Sequence, residues 1–282
     1  APLIISVCII KNLIFKSFLK KLSAIVSMWF ATLGICQENA VKAAISNFSE
    51  SEKASYSLFL DESEALAPPA NWKALQLELD EKAAKKVDSL ALLRVIFQKT
   101  HQRLLKNYRQ HSTFSNLLNK GSYDCVSGSA ALGLLLDRYG YAFDVVETDY
   151  HVFIQVYLGG KTLILESTLP VGGMITSTSA VRNYLAAYLS EGMPVAREIS
   201  EGLAGTKENS LDNTIFRKVS LSELAGLQHY NEAIVHFNQQ EYRQAIDLLS
   251  KALVLYPSER IEGLKDLSIE LAYHTYGVDI RK

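Results

Sequence analysis

Cysteine is scarce in this chain, with three residues in 282, and two of them, Cys8 and Cys36, fall in the first 36 positions. Cys125 therefore stands alone in the body of the sequence, which rules out an internal disulfide there. No C-x-x-C or H-x-x-x-H spacing is present to hold a structural zinc. An excess of one charge is missing as well: 29 Lys and Arg against 30 Asp and Glu leave a net charge of −1. With no basic patch, nucleic acid is excluded as a partner class. Long apolar runs are absent too. Residues 22–36 form an uncharged run of fifteen, short of the about 20 that a membrane-spanning helix needs. What is there is a hydrophobic content of 48%, the composition of a globular chain rather than a disordered one.

The apolar run follows Lys11, Lys16, Lys20 and Lys21 and ends among small residues. A positive flank and a short apolar core describe a secretory signal, so residues 1–36 are expected to be a signal peptide or membrane anchor. Leu33-Gly34-Ile35-Cys36 also resembles a bacterial lipoprotein box. On all of these readings the functional part is exported, periplasmic or secreted, and meets membrane only through this segment. A lone thiol in an oxidising compartment is then either a buried, inert side chain or a reactive one.

Residues 37–120 read as mostly helical. Pro68-Pro69 precedes a helix over 74–87, and Asp88-Ser89 caps a longer one over 89–108 whose stripe is Leu90, Leu93, Val95, Ile96, Leu104 and Leu105. A short helix over 114–118 leads into Gly121. His101 and His111 have no metal-ligand spacing and are expected at the surface.

The chemistry is concentrated in residues 121–170. Cys125 stands just ahead of an apolar helix over 127–139 that Asp124 can cap and Gly140 can end. A helix N-terminus offers unpaired N–H groups and partial positive charge, both of which favour a thiolate. The period then changes to that of strands, over 142–148, 151–158 and 161–167. Gly159-Gly160 joins the last two as a two-residue hairpin turn. That turn sets Leu158 opposite Lys161 and Phe153 opposite Glu166. His151, Phe153, Gln155 and Tyr157 then share a face with Glu166, Ile164 and Thr162. His151 and Glu166 become diagonal neighbours, a base oriented by a carboxylate, with Cys125 as the nucleophile facing them. Tyr123 either packs the loop or helps the Cys125 backbone N–H hold an oxyanion. A metal site of Cys125, His151 and Glu166 is the other chemical reading, without a recognised spacing.

A cysteine opening a helix, a histidine on a strand and an acid closing the next strand resemble the transglutaminase-like fold, a rearranged relative of papain-type cysteine peptidases. Its bacterial pattern of Cys, two leucines and Gly is matched by Cys125, Leu132, Leu136 and Gly140. The histidine strand is matched by residues 151–156 and the acid by Glu166 in Leu165-Glu166-Ser167-Thr168. The usual acid of that pattern is Asp and the usual aromatic after the histidine is Trp, where this chain has Glu166 and Phe153. The resemblance implies an α+β domain over 37–218, helices on an antiparallel sheet, using no cofactor or metal. It implies that Cys125 attacks an amide carbonyl, His151 moves the proton and Glu166 fixes the imidazole tautomer. The acyl group would pass to water or an amine, and the substrate would be a protein or peptide.

Residues 171–174 read as a flexible loop, 181–189 as a short helix and 213–219 as a closing strand. Further on, Tyr242, Ala245, Ala252 and Pro257 fall at the aromatic, small and proline positions of a tetratricopeptide repeat, followed by a partial second copy from Ser258. Residues 219–282 thus resemble a short tetratricopeptide-type helical module. One and a half repeats must bury their faces against something, either the preceding domain or a protein partner. The chain is expected to be a thiol acyl-transfer enzyme or, alternatively, an inactive scaffold of the same fold that binds a protein or peptide.

Overall fold

The computed structural model describes residues 50–60, 64, 68–85, 87–188 and 215–277. The expected export segment lies outside the described residues, as do 189–214. The described residues belong to one compact unit. The chain mixes helix with a five-stranded antiparallel sheet.

Helices α1 (Glu50–Ser57), α2 (Ala70–Ala84), α3 (Ser89–Arg103) and α4 (Phe114–Lys120) come first. Tyr56, Trp72 and Phe114 bind the first, second and fourth of these together, with ring centroids 5.6 to 5.7 Å apart. Helix α3 begins at the expected Asp88 cap, whose carboxylate accepts the Leu90 and Ala91 N–H groups. It ends at Arg103, five residues short of the expected 108. Leu105 N–H still reaches back to Thr100, but Lys106 and Asn107 N–H both turn to the Gly121 carbonyl. That capture starts β1 (Asn107–Tyr108), which pairs in parallel with β2 (Ser122–Tyr123). A long-range acceptor ends the helix where the sequence carries no stop signal.

Helix α5 (Cys125–Arg138) is the axis of the unit, buried at every position from Val126 to Leu136. A helix apolar on all sides can only be a core helix, and each of its buried leucines contributes about 1.5–3 kcal/mol. The sheet follows, with β3 (Ala142–Thr148), β4 (Val152–Leu158), β5 (Lys161–Leu165), β6 (Met174–Ile175) and β7 (Phe216–Val219) in the order β6-β5-β4-β3-β7. Leu158 faces Lys161 and Ile154 faces Leu165, which is the register the glycine turn predicts. Gly159 and Gly160 have φ of 58° and 72°, the left-handed pair that such a turn requires. His151 lies one residue before β4 rather than in it, and Glu166 one residue after β5.

The two faces of the sheet are covered differently. Gly133 of α5 lies against Phe143 and Leu221, so α5 takes the face of Phe143, Val145 and Ile154. Helix α6 (Thr178–Ala186) takes the other, where Val181 and Leu185 pack on Val146, Phe153 and Ile164. Of residues 171–174, expected to be a loose loop, Val171 and Gly172 are an exposed turn, whereas the end is drawn to the sheet: Met174 pairs with Leu165, and Gly173 is buried with its carbonyl accepting the Glu166 N–H.

Helices α7 (Leu221–Asn238), α8 (Tyr242–Leu255) and α9 (Glu259–Tyr276) complete the chain. Ala245 and Ala252, the expected small positions, are fully buried. The helices bury their faces on the preceding residues: Gln228 of α7 accepts the Phe114 N–H and donates to the Phe59 carbonyl. Among the described residues no helix is long and apolar enough to cross a membrane.

Candidate active site

Cys125 is the first residue of α5 rather than the residue ahead of it. Asp124 caps the helix reciprocally, accepting the Ser127 N–H at 2.8 Å while the Ser127 hydroxyl accepts the Asp124 N–H at 2.9 Å. This capping box fixes the direction in which the chain enters the helix, and with it the cysteine. The Cys125 N–H, in the first turn, has no intrahelical acceptor. The sulfur-bearing side chain is partly exposed and lines a cavity of about 340 Å³, together with His151.

His151 closes the β3–β4 hairpin. Its carbonyl accepts the Thr148 N–H at 2.8 Å, and its own N–H donates to the Thr148 hydroxyl oxygen at 3.1 Å. Its Nε2 lies 2.5 Å from Glu166 Oε2, and Cys125 is the second group that acts on the ring. Burial disfavours the imidazolium, but the hydrogen bonds to Cys125 and Glu166 outweigh it and push the pKa up to about 10. The Tyr188 ring stacks on the imidazole at 6.1 Å and 11°.

Glu166 is 2% exposed and has every lone-pair direction occupied. Oε2 accepts from His151 and from the Tyr184 hydroxyl at 2.5 Å; Oε1 accepts the Thr168 N–H at 2.8 Å and its hydroxyl at 2.6 Å. Burial would raise the carboxyl, yet His151, Thr168 and Tyr184 together hold it below its ordinary value. Burial and the Glu166 charge push the Tyr184 phenol up, so it stays a donor. Thr168, Tyr184 and Tyr188 carry no sequence signal of their own. Only the two-residue spacing of Glu166 and Thr168 could have suggested a carboxylate turned back onto its own loop.

The three residues expected to converge do so, Cys125 and His151 on the cavity wall and Glu166 behind the imidazole. Tyr123 is buried, edge-to-face with Tyr108 at 5.9 Å; it is Tyr108, not Tyr123, that lines the cavity. Two surface expectations are overturned. His101 is buried at 7% exposure, with Nδ1 and Nε2 each 2.9 Å from a carbonyl oxygen, of Phe97 and Ser167 respectively. It ties α3 to the loop that carries Glu166, a partner 66 residues away. His111 is half-buried on the cavity wall with φ 59°, placed there by the chain turning out of β1.

The far wall comes from the C-terminal helices, with Leu227, Tyr230 and Ile234 of α7 and Arg260 of α9. Sequence reasoning missed this contribution, and also Glu147, a 1%-exposed acid that joins three elements. Glu147 accepts from Arg217 Nε at 3.0 Å, from the Tyr256 hydroxyl at 2.5 Å and from Arg260 Nη2. The fold and site thus define a mixed helix-and-sheet protein with a thiol, an imidazole and a carboxylate in series at the end of a core helix. Comparison with protein-family models, with curated proteins and with solved structures finds no match to this chain.

Proposed function

We propose that this protein is a thiol-dependent acyl-transfer enzyme of the transglutaminase-like type, with Cys125 as nucleophile, His151 as acid and base and Glu166 as the orienting group. The observation that carries the reading is the state of Glu166. A carboxylate buried and saturated by four donors, one of them His151 Nε2, holds an imidazole that lines an open cavity together with Cys125 and is acted on by it. A structural ion pair has no need of a thiol beside it.

In the first step the Cys125 sulfur adds to an amide carbonyl, and the carbonyl π pair moves to oxygen. The unpaired Cys125 N–H at the helix start faces the developing oxyanion. The C–N bond then breaks as the His151 imidazolium gives its proton to the departing amine, leaving a thioester and a neutral imidazole. An incoming water or amine loses its proton to His151 as it attacks the thioester, and the thiolate leaves with the imidazolium restored. Glu166 keeps Nε2 protonated throughout, so that Nδ1 is the nitrogen that cycles. The substrate class is a protein or peptide amide.

The reading is tested by the rate of Cys125 alkylation with iodoacetamide at pH 6, followed by intact mass. Fast labelling that His151→Ala slows by tenfold or more is expected. Labelling no faster than that of the urea-unfolded chain at the same pH, and indifferent to His151→Ala, overturns it.

A further inference from the structure

The cavity that Cys125 and His151 line also carries, on its far wall, the guanidinium of Arg260. Arg260 lies over the Tyr230 ring at 5.1 Å and the Tyr256 ring at 5.9 Å. Flanking aromatic faces fix the plane of an arginine and leave its edge free to donate. Among the described residues Arg260 makes one hydrogen bond, from Nη2 to Glu147, and its Nε is closed off from solvent without an acceptor. A buried donor without a protein partner is open to pairing with a water or a ligand group. Glu147 does not satisfy Arg260 alone, because the same carboxylate also takes Arg217 and Tyr256.

The other acids lining the cavity are Asp124 and Asp149. Asp124 is sealed in its capping box, with burial pushing its carboxyl up against the pull of the Ser127 hydrogen bonds. Asp149 Oδ1 accepts the Ile215 N–H at 2.7 Å. Among the charged groups facing the cavity, Arg260 is the one with a buried donor left without a protein partner; the neutral ring of His111 shares that state at its Nδ1.

We propose that Arg260 forms an anion subsite of this cavity and that the acyl donor presents a carboxylate to it, either a chain-terminal α-carboxylate or an acidic side chain near the scissile amide. The term acyl donor rests on the thiol reading above; the subsite itself does not. Arginine matches a carboxylate through two parallel N–H···O bonds, and its stacked, pre-oriented plane loses little freedom on binding. The helices between residues 221 and 276 would then select the substrate while residues 121–170 carry out the chemistry on it.

The test uses the full chain and paired reagents. Iodoacetyl-glycine, iodoacetyl-β-alanine and iodoacetyl-γ-aminobutyrate are each compared with their primary amides as labels for Cys125. The carboxylate member is expected to label about tenfold faster than its amide at one spacer length or more, the factor for one charge-assisted contact. That ratio should fall to about one in Arg260→Gln and recover in part in Arg260→Lys, which keeps the charge but not the fork. Because the ratio is taken within one protein, a general loss of reactivity or stability in a variant does not imitate the effect. Equal or amide-favouring ratios at every spacer overturn the subsite while leaving the thiol reading intact. If no reagent labels Cys125 above the unfolded rate, the thiol reading fails, and binding to Cys125→Ala decides the subsite. Acetyl-glycine shifting cavity resonances at lower concentration than acetyl-glycinamide, and losing that advantage in Cys125→Ala/Arg260→Gln, supports it; equal binding overturns it.

Discussion

Glu166→Gln tests the site at its most constrained atom pair. The substitution keeps shape and removes one charge, but every partner of this carboxylate donates: Thr168 N–H and Oγ1 on one oxygen, His151 Nε2 and Tyr184 on the other. An amide has one accepting oxygen and one donating nitrogen. The Thr168 N–H cannot turn into an acceptor, so the glutamine oxygen faces Thr168 and its NH2 faces His151. The imidazole satisfies that NH2 by giving up the Nε2 proton and holding its proton on Nδ1, toward Cys125. A ring protonated there and neutral cannot take the thiol proton. Loss of the nearby negative charge also lowers the His151 pKa from about 10, by about 1–3 units. An ordinary thiol is only about one part in 300 ionised at pH 6, and its stronger intrinsic nucleophilicity recovers part of that deficit. Iodoacetamide labelling of Cys125 at pH 6 should therefore fall roughly ten- to a hundredfold in Glu166→Gln, with near-UV circular dichroism confirming that the variant is folded. A folded Glu166→Gln protein that labels within twofold of the parent refutes the assignment of Glu166 as the orienting group.

Two further outcomes follow from the same geometry. His151 has a folded pKa of about 10 against an ordinary value of 6.5, so the stability it contributes is fully present below about pH 6.5 and is lost as pH rises through 10. The urea midpoint of the parent should exceed that of His151→Gln at pH 6 by more than it does at pH 10.5, and a gap that widens with pH contradicts the ion pair. Gly173 is buried where an added Cβ would stand 2.5 Å from the Glu166 carbonyl oxygen. Gly173→Ala should cost about 1–3 kcal/mol by thermal unfolding and slow Cys125 labelling by displacing the acid; a neutral effect on both would show that the loop has room to move.

The parts of the site legible in the sequence are those that depend on local geometry. Two glycines that accept positive φ pin a hairpin, and the hairpin register places Phe153 opposite Glu166 whatever the rest of the chain does. The Asp124 cap and the α5 start are local in the same sense. The burial of His101 was not legible, because it depends on the Ser167 carbonyl, 66 residues away, which only the tertiary fold brings to α3. Tyr184 sits on helix α6, and Tyr188 in the turn that follows it, and the pattern of that helix does not say which sheet face it covers. Glu147 looks like an ordinary polar strand residue until Arg217 and Arg260 arrive from strand β7 and helix α9. Tertiary partners from distant positions decided each of these, and periodicity carries no record of them.

The Glu147 cluster also bears on how this chain can change over generations. One acid on β3 binds a strand arginine, a tyrosine after α8 and an arginine on α9, so the helices at the end of the chain are not cargo that recombination can exchange freely. A descendant that acquired a different helical tail would inherit a buried carboxylate with its counterparts removed, a loss of about 3–5 kcal/mol. Positions 147, 217, 256 and 260 are accordingly expected to drift as a set, and the specificity of the cavity to be inherited together with the tail.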